Sequence, residues 1–266
     1  LGLVRNPLVL AGLLTLERMA YGVADAMTVH SPGNRDFLIA HRSQRAAKVA
    51  VVPNWVTASA FDVARPIGDG FRKRFGLEGQ FVMLFAGVLG PAQGLDVLVD
   101  AAWDLRDEKN VTLLMVGDGT EKRRLMDRCA ARGQTNVRFE NFVSKEDYPA
   151  LVAESDVGLV SITPRYKTPV VPAKLLGYMA GGIPAIASLN TESDGHNILG
   201  ASGAGISVAG GDISGVAAAM RRLRDAPQER TQMGVRGREY AREHFDRDRC
   251  VRRYEQIFES LRNQNR

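Results

Sequence analysis

The stretch from Phe81 to Ser188 repeats one pattern, and few folds accommodate it. FVMLFAG, VTLLMVGDG and DVGLVSI are short runs that are apolar at nearly every position. A strand with one wet face would alternate; an uninterrupted run is buried on both faces, the condition of a strand inside a parallel sheet. Helical patterns separate the runs. In GLDVLVDAAWDLRDE, Leu95, Leu98, Val99, Ala102 and Leu105 share one helical face. EKRRLMDRCAARG closes at Gly133, and in SKEDYPALVAES the pair Ser144 and Asp147 is a capping signal. NVRFENFV and PAIAS supply two more strands, and AKLLGYMA is a helix ended by Gly181 and Gly182. A short strand near GAGISVA, a helix from Asp212 and two terminal helices complete the series. Strands alternating with crossover helices specify an α/β fold, a doubly wound parallel sheet.

Such a sheet fixes where ligands go, because they sit at the carboxyl ends of its strands. Three loops fall on that rim: GVLGPAQG from Gly87 to Gly94, GDG from Gly117 to Gly119, and the segment Thr163 to Pro184. The third is broken by Pro164, Pro169 and Pro172, carries Arg165 and Lys167, and then enters a helix with Lys174 in its first turn. Free amides at a helix start attract an anion, phosphate above all. A lysine there opposes the helix dipole unless an anion is present; the alternative is a solvated lysine on a surface turn. GVLGPAQG has the glycines of a phosphate loop but is neither G-x-G-x-x-G nor a P-loop, so it points to neither NAD nor ATP, and an ordinary turn stays open.

Residues 1–61 form a shorter αβαβ series: helical periodicity through Leu14, Leu16, Met19 and Ala20, a strand in ADAMTVHS, a helix in SPGNRDFLIAH, and KVAVVPN stopped by Pro53. The run Pro7 to Leu16 is too short to span a bilayer and is read as a core helix, with an interfacial anchor as the lesser alternative. The chain begins with Leu1, and a missing upstream segment is expected. Residues 62–79 lose periodicity and are read as a linker, residues 80–245 as the second domain, and residues 246–266 as a terminal helix.

Composition narrows the chemistry. The net charge of +5 permits anionic partners, but no basic block supports nucleic-acid binding. Cys129 and Cys250 give neither a disulfide framework nor a metal spacing, which fits a reducing cytoplasm. The histidines suggest no metal site or catalytic triad; His196, in the loop SDGHNILG, is a weak rim candidate. Asp246-Arg247-Asp248 mimics a metal motif but opens an amphipathic helix, where capping is the simpler reading.

Taken in order, ADAMTVHSPGNRDFL, KVAVVPNWV, FAGVLGPAQGLDVLVDAA, LLMVGDGTEKRRL, NVRFENFVSKEDYPALVAESDVGLV and VPAKLLGYMAGGIPAIAS resemble retaining glycosyltransferases of the GT-B type, family 4, in a branch that builds bacterial surface polysaccharides. The resemblance implies a nucleotide-sugar-binding, Rossmann-like C-terminal domain and a truncated second Rossmann-like domain that holds the acceptor. It implies transfer from a nucleoside-diphosphate sugar to a glycan or lipid-linked acceptor, with no metal or other cofactor. It places the enzyme in the cytoplasm and leaves room for peripheral contact with the inner face of the plasma membrane.

The sequence departs from the family at four charged contacts. Two glutamates eight positions apart are replaced by Pro169 and Gly177, and an arginine and a lysine of the first glycine loop by Val88 and Gln93. Lys174, Arg165 and Lys167, with the amides of Ala173, Lys174 and Leu175, are the expected substitutes, since donors aimed at the leaving phosphate stabilise the transition state. The expected site comprises Lys174 as the catalytic cation, with Gly87, Gly90, Gln93, Gly94, Gly117, Val143, Arg165, Lys167, Ala173, Leu175 and Gly177 around the donor; Val143 matches where the family packs its base. Two rival readings remain: a degenerate domain that binds nucleotides without turnover, and an epimerase on the same scaffold.

Overall fold

The computed structural model describes residues 6–42, 44–62 and 70–264. The first section runs α1 (Pro7–Val23), β1 (Met27–Val29), α2 (Pro32–Arg42) and β2 (Val49–Val51). The two strands are parallel, with Met27 opposite Val49. Asn6 caps α1 through Oδ1, which accepts from the Leu8 amide at 2.9 Å, and Ser31 caps α2 by accepting from the Asn34 amide at 3.2 Å. The expectation of a core helix over Pro7 to Leu16 is overturned. Leu8 is 81% exposed, Leu16 is 63% exposed, and no residue of α1 is buried. The physical reason is a shortage of partners, since no described element covers that apolar stripe.

The stretch expected as a linker includes residues 63–69, which lie outside the described residues. Its remainder carries α3 (Gly70–Arg74), and Phe71, Phe75 and Leu77 there are buried. Arg72 fastens this piece to the sheet, bonding the carbonyls of Glu154 and Gln80 and, at 2.7 Å, the Asp156 carboxylate.

The main sheet has six parallel strands: β3 (Phe81–Ala86), β4 (Val111–Val116), β5 (Val137–Glu140), β6 (Val157–Ser161), β7 (Ala185–Leu189) and β8 (Gly205–Ala209). Their spatial order is β5-β4-β3-β6-β7-β8. The crossovers are α4 (Asp96–Asp104), α5 (Lys122–Ala131), α6 (Tyr148–Ala153), α7 (Ala173–Gly181) and α8 (Gly195–Ser202), followed by α9 (Ile213–Asp225), α10 (Pro227–His244) and α11 (Arg247–Gln264).

Two apolar layers enclose the sheet. Val82, Leu84 and Ala86 of β3 face one layer with α7, and Phe81, Met83 and Phe85 face the other with α4 and α9. Leu95, Leu98, Val99, Ala102 and Leu105 are each no more than 2% exposed, as their spacing predicts. Burying each of the leucines among them stabilises the fold by about 1.5–3 kcal/mol.

Two local expectations shift. Ser144 Oγ accepts from the Asp147 amide at 3.0 Å, but it closes a turn, and α6 starts only at Tyr148 with Pro149 in its first turn, where the missing N–H costs nothing. The expected loop SDGHNILG instead enters α8 from Gly195. Ile198, Leu199 and Ser202 give it a buried face too brief to read as a period.

The strand order reverses direction between β3 and β6, and there the ladder opens. β3 pairs with β4 over its whole length from Phe81 to Ala86 but with β6 only at Met83 and Leu84. A crevice at such a switch point is where open α/β sheets bind ligands.

At the other end of the chain, Val56 bridges Asp246: its amide donates to the Phe245 carbonyl at 2.9 Å and its carbonyl accepts from the Arg247 amide at 3.2 Å. The α11 helix then runs back to the first section, where Tyr254 meets the edge of Trp55.

Candidate functional site

The crevice is walled by two glycine turns stacked backbone on backbone. Gly87 leaves β3 at φ 137° and Gly117 leaves β4 at φ 148°, values that few residues with a Cβ adopt. A Cβ on Gly117 would stand 1.9 Å from the Gly87 carbonyl oxygen. The Gly87 amide donates to Val116 O and the Leu89 amide to Asp118 O, both at 2.8 Å, so the two turns move as one.

Lys174 faces this pair from the first turn of α7. Its Nζ lies 3.3 Å from Oε1 of Gln93 and 4.8 Å from the centroid of Phe85, and its Cε lies 2.6 Å from where a Cβ on Gly87 would be. No carboxylate pairs with it among the described residues. Burial pushes its pKa below the ordinary lysine value. Pro172 precedes the helix without a capping side chain, and the amides of Ala173 and Lys174 have no acceptor among the described residues. The Leu175 amide, counted among the free donors from sequence, is already bonded to Pro172 O at 3.0 Å, and the Leu175 side chain is wholly buried. The result is a half-buried ammonium beside two open amides, a concentration of positive potential that suits an anion.

Next to Gly87 opens an apolar cavity of about 270 Å³, lined by Ala86, Gly87, Val116, Phe142, Val143, Ser144, Lys145 and Tyr148. Tyr148 connects it to α7, because a Cβ on Gly177 would meet the Tyr148 hydroxyl at 2.7 Å. The bare position at Gly177 therefore admits the phenol. Burial raises the Tyr148 pKa well above the usual phenol range, so it is a neutral hydroxyl.

The structure thus gathers Gly87, Gln93, Gly117, Val143, Ala173 and Lys174, with Gly177 behind Tyr148. It does not bring Gly90, Gly94 and Arg165 to the same place. These line a separate cavity of about 440 Å³ with Thr163, Gly211 and Ile213, where Gly94 at φ 58° packs on the Thr163 backbone. Lys167 is exposed, and its charge acts on Glu192. His196 sits on α8 with Nδ1 3.1 Å from Ser207 Oγ. Pro169 stands where α2 meets the long loop: Asn34 Nδ2 donates to Pro169 O at 2.8 Å, and the Gly33 amide donates to Asp194 Oδ2 at 3.0 Å.

Sequence reasoning missed Tyr148 and Tyr178. Both lie inside segments that carry the resemblance, SKEDYPALVAES and AKLLGYMA, and the signals available were those memberships and the position of Tyr148 just beyond the Val143 loop. Among the described residues no group of three or more His, Cys, Asp or Glu side chains could hold a metal ion. The Asp246 carboxylate accepts from the Asp248 amide at 3.1 Å, a cap at the start of α11. Among the described residues no helix is long and apolar enough to cross a membrane.

Comparison with known proteins follows the same lines. Residues 80–225 match the family described as glycosyl transferases group 1. A protein of Escherichia coli K12 named for colanic acid biosynthesis, the glycosyl transferase WcaI, is 28% identical over 212 residues, covering 79% of this chain and 51% of its own length. The chain therefore spans about half of that relative. Among solved structures, HepE of Anabaena in complex with UDP superposes with a TM-score of 0.77 at 20% identity, covering 92% of this chain and 65% of that one. Sucrose-phosphate synthase of Thermosynechococcus elongatus superposes with a TM-score of 0.79 at 21% identity, covering 94% and 62%. Those likenesses establish the GT-B fold. With more than half its length matched, the chain belongs to the glycosyl transferases group 1 family.

Proposed function

We propose that this chain forms the donor side of a family 4, retaining GT-B enzyme that moves a sugar from a nucleoside-diphosphate sugar to a glycan or lipid-linked acceptor in cell-envelope polysaccharide synthesis. The observation that carries the proposal is Lys174. A half-buried ammonium without a carboxylate partner among the described residues, held against Gly87 beside two open amides, gains most when an anion is part of the working state. The apolar cavity around Val143 is large enough for a nucleobase and begins at the same turn. A diphosphate seated on the Lys174 ammonium, beside the Gly87 turn and the amides of Ala173 and Lys174, would leave its base in that cavity.

In chemical terms, cleavage of the sugar–phosphate bond develops negative charge on the leaving oxygen. The Lys174 ammonium and the amides of Ala173 and Lys174 are aimed where that charge collects and need no reorganisation. Attack from the leaving-group face would give retention without a carboxylate nucleophile. No metal is required in this scheme. Arg165 and Lys167, being exposed, are proposed to close on the donor rather than to hold it in the free state. The domain reading follows: residues 1–61 as the tail of an acceptor domain, 62–79 as the linker, 80–245 as the donor domain and 246–266 as a returning helix. A peripheral contact with the inner face of the plasma membrane belongs to the same proposal.

One observation favours binding without turnover as a second reading: Pro169 and Gly177 carry no carboxylate where the family has glutamates. Incubation with UDP-, GDP- and ADP-sugars, with and without glycan acceptors, separates the two. Release of nucleoside diphosphate supports transfer; calorimetric binding without release supports the second reading; no binding of any donor refutes both.

A further inference from the structure

In β3 the odd-numbered amides point to β4: the Phe81 amide donates to Asn110 O and the Gly87 amide to Val116 O. Even-numbered amides therefore point toward β6. The β6 strand parts from β3 after Gly158, the partner of Leu84, so the Ala86 amide has no ladder partner, and an unpaired buried N–H is costly. A side chain fills the gap. Tyr178 of α7, wholly buried, lays its ring over Gly158 and accepts from the Ala86 amide through its hydroxyl at 3.1 Å. A Cβ on Gly158 would stand 2.2 Å from Cγ of that ring, so the wedge depends on glycine there. Tyr178 lies four residues beyond Lys174 on the same helix, hence on the same face. The α7 helix thus grips the end of β3 twice: Tyr178 holds Ala86, and Lys174 rests on Phe85 and Gly87.

We propose that Tyr178 is a positioning residue of the donor site. Its hydroxyl replaces the missing β6 partner of Ala86 and so fixes the distance between the Gly87 turn and the amide-bearing start of α7, so that one phosphate meets both. It touches no substrate and acts through the backbone of residues 86 and 87. This rests on the donor-site reading above, and the experiment separates the two.

Tyr178→Phe keeps the ring and removes the acceptor. Hydrogen exchange of the Ala86 amide in ligand-free protein, read by NMR, is expected to be slow in the wild type despite the open ladder, and at least about tenfold faster in Y178F. Calorimetry with UDP, well below the unfolding temperature of both proteins, is expected to show affinity reduced about tenfold. Fast exchange of Ala86 in the wild type overturns the inference, even if Y178F fails to fold. Equal exchange in the two proteins overturns it as well. So does faster exchange with unchanged UDP affinity, the outcome for a residue that serves stability alone. A wild type that binds none of UDP, GDP or ADP overturns the donor-site reading, while the exchange rates still decide whether Tyr178 holds the turn.

Discussion

Lys174 directs its ammonium to within 3.3 Å of the Gln93 side-chain oxygen, across the crevice that opens between β3 and β6. This neutral partner leaves the positive charge uncompensated. A bond from the ammonium to a phosphate oxygen is charge-assisted and worth about 1.5–3 kcal/mol. Lys174→Met is therefore expected to weaken UDP binding by roughly ten- to a hundredfold. Calorimetry checks this, and an affinity within twofold of wild type would remove Lys174 from the site.

The lowered pKa of Lys174 sets a pH dependence. In the free protein the half-buried ammonium costs stability at neutral pH. That cost disappears as pH rises through the lowered pKa toward the ordinary one, so the contribution of this group to stability grows with pH in that window. A bound diphosphate favours the charged form and reverses the shift. Binding is then accompanied by proton uptake, and affinity falls as the pH climbs through the window. Lys174→Arg stays charged throughout and should lose this component. Calorimetry in buffers of different ionisation enthalpy measures the uptake; identical proton counts and pH profiles for wild type and K174R would count against the assignment.

The stacked turns predict a strong contrast between two glycines. Gly117→Ala places a Cβ 1.9 Å from a backbone oxygen that cannot yield, at φ 148°. It should cost more than about 3 kcal/mol in urea denaturation. Gly177→Ala meets the hydroxyl end of the Tyr148 ring rather than backbone, and should cost less than about 1.5 kcal/mol. Equal losses would mean that the turns are not locked together.

Tyr148 and Gly177 share one space, so their substitutions should couple. Gly177→Glu forces the phenol out and is expected to cost about 1–3 kcal/mol of stability. Tyr148→Ser in the same chain should recover most of that loss, giving a coupling energy in a double-mutant cycle above about 0.5 kcal/mol. Additive effects in thermal unfolding would show that the two side chains do not compete.

Much of the fold was readable because its determinants are local. Strands apolar at every position, the single helical face from Leu95 to Leu105 and the glycines at 133 and 182 each announce themselves within a few residues. The loops around Gly87, Gly117 and Lys174 were readable together, since a parallel sheet puts the ends of its strands on one edge. What stayed hidden depends on geometry between elements. Arg165 and Lys174 sit only nine positions apart, yet Arg165 lines the cavity beside Gly90 and Gly94 while Lys174, already on α7, rests on Phe85 and Gly87. Tyr178 reads as one more apolar helix residue until β6 is seen to leave β3 after Gly158. The exposed face of α1 escaped for the converse reason: periodicity reports an apolar stripe but not what covers it.

The bridge between Val56 and Asp246 constrains how the two sections can move. The chain passes from the first section toward the sheet just beyond Val56, and it returns at Phe245 and Arg247, hydrogen-bonded to that same residue. Two tethers side by side behave as a door hinge: they permit rocking about one axis and resist torsion or sliding. Such a swing would work on the two bonds by which α2 reaches Pro169 and Asp194, while leaving the stacked turns at Gly87 and Gly117 undisturbed.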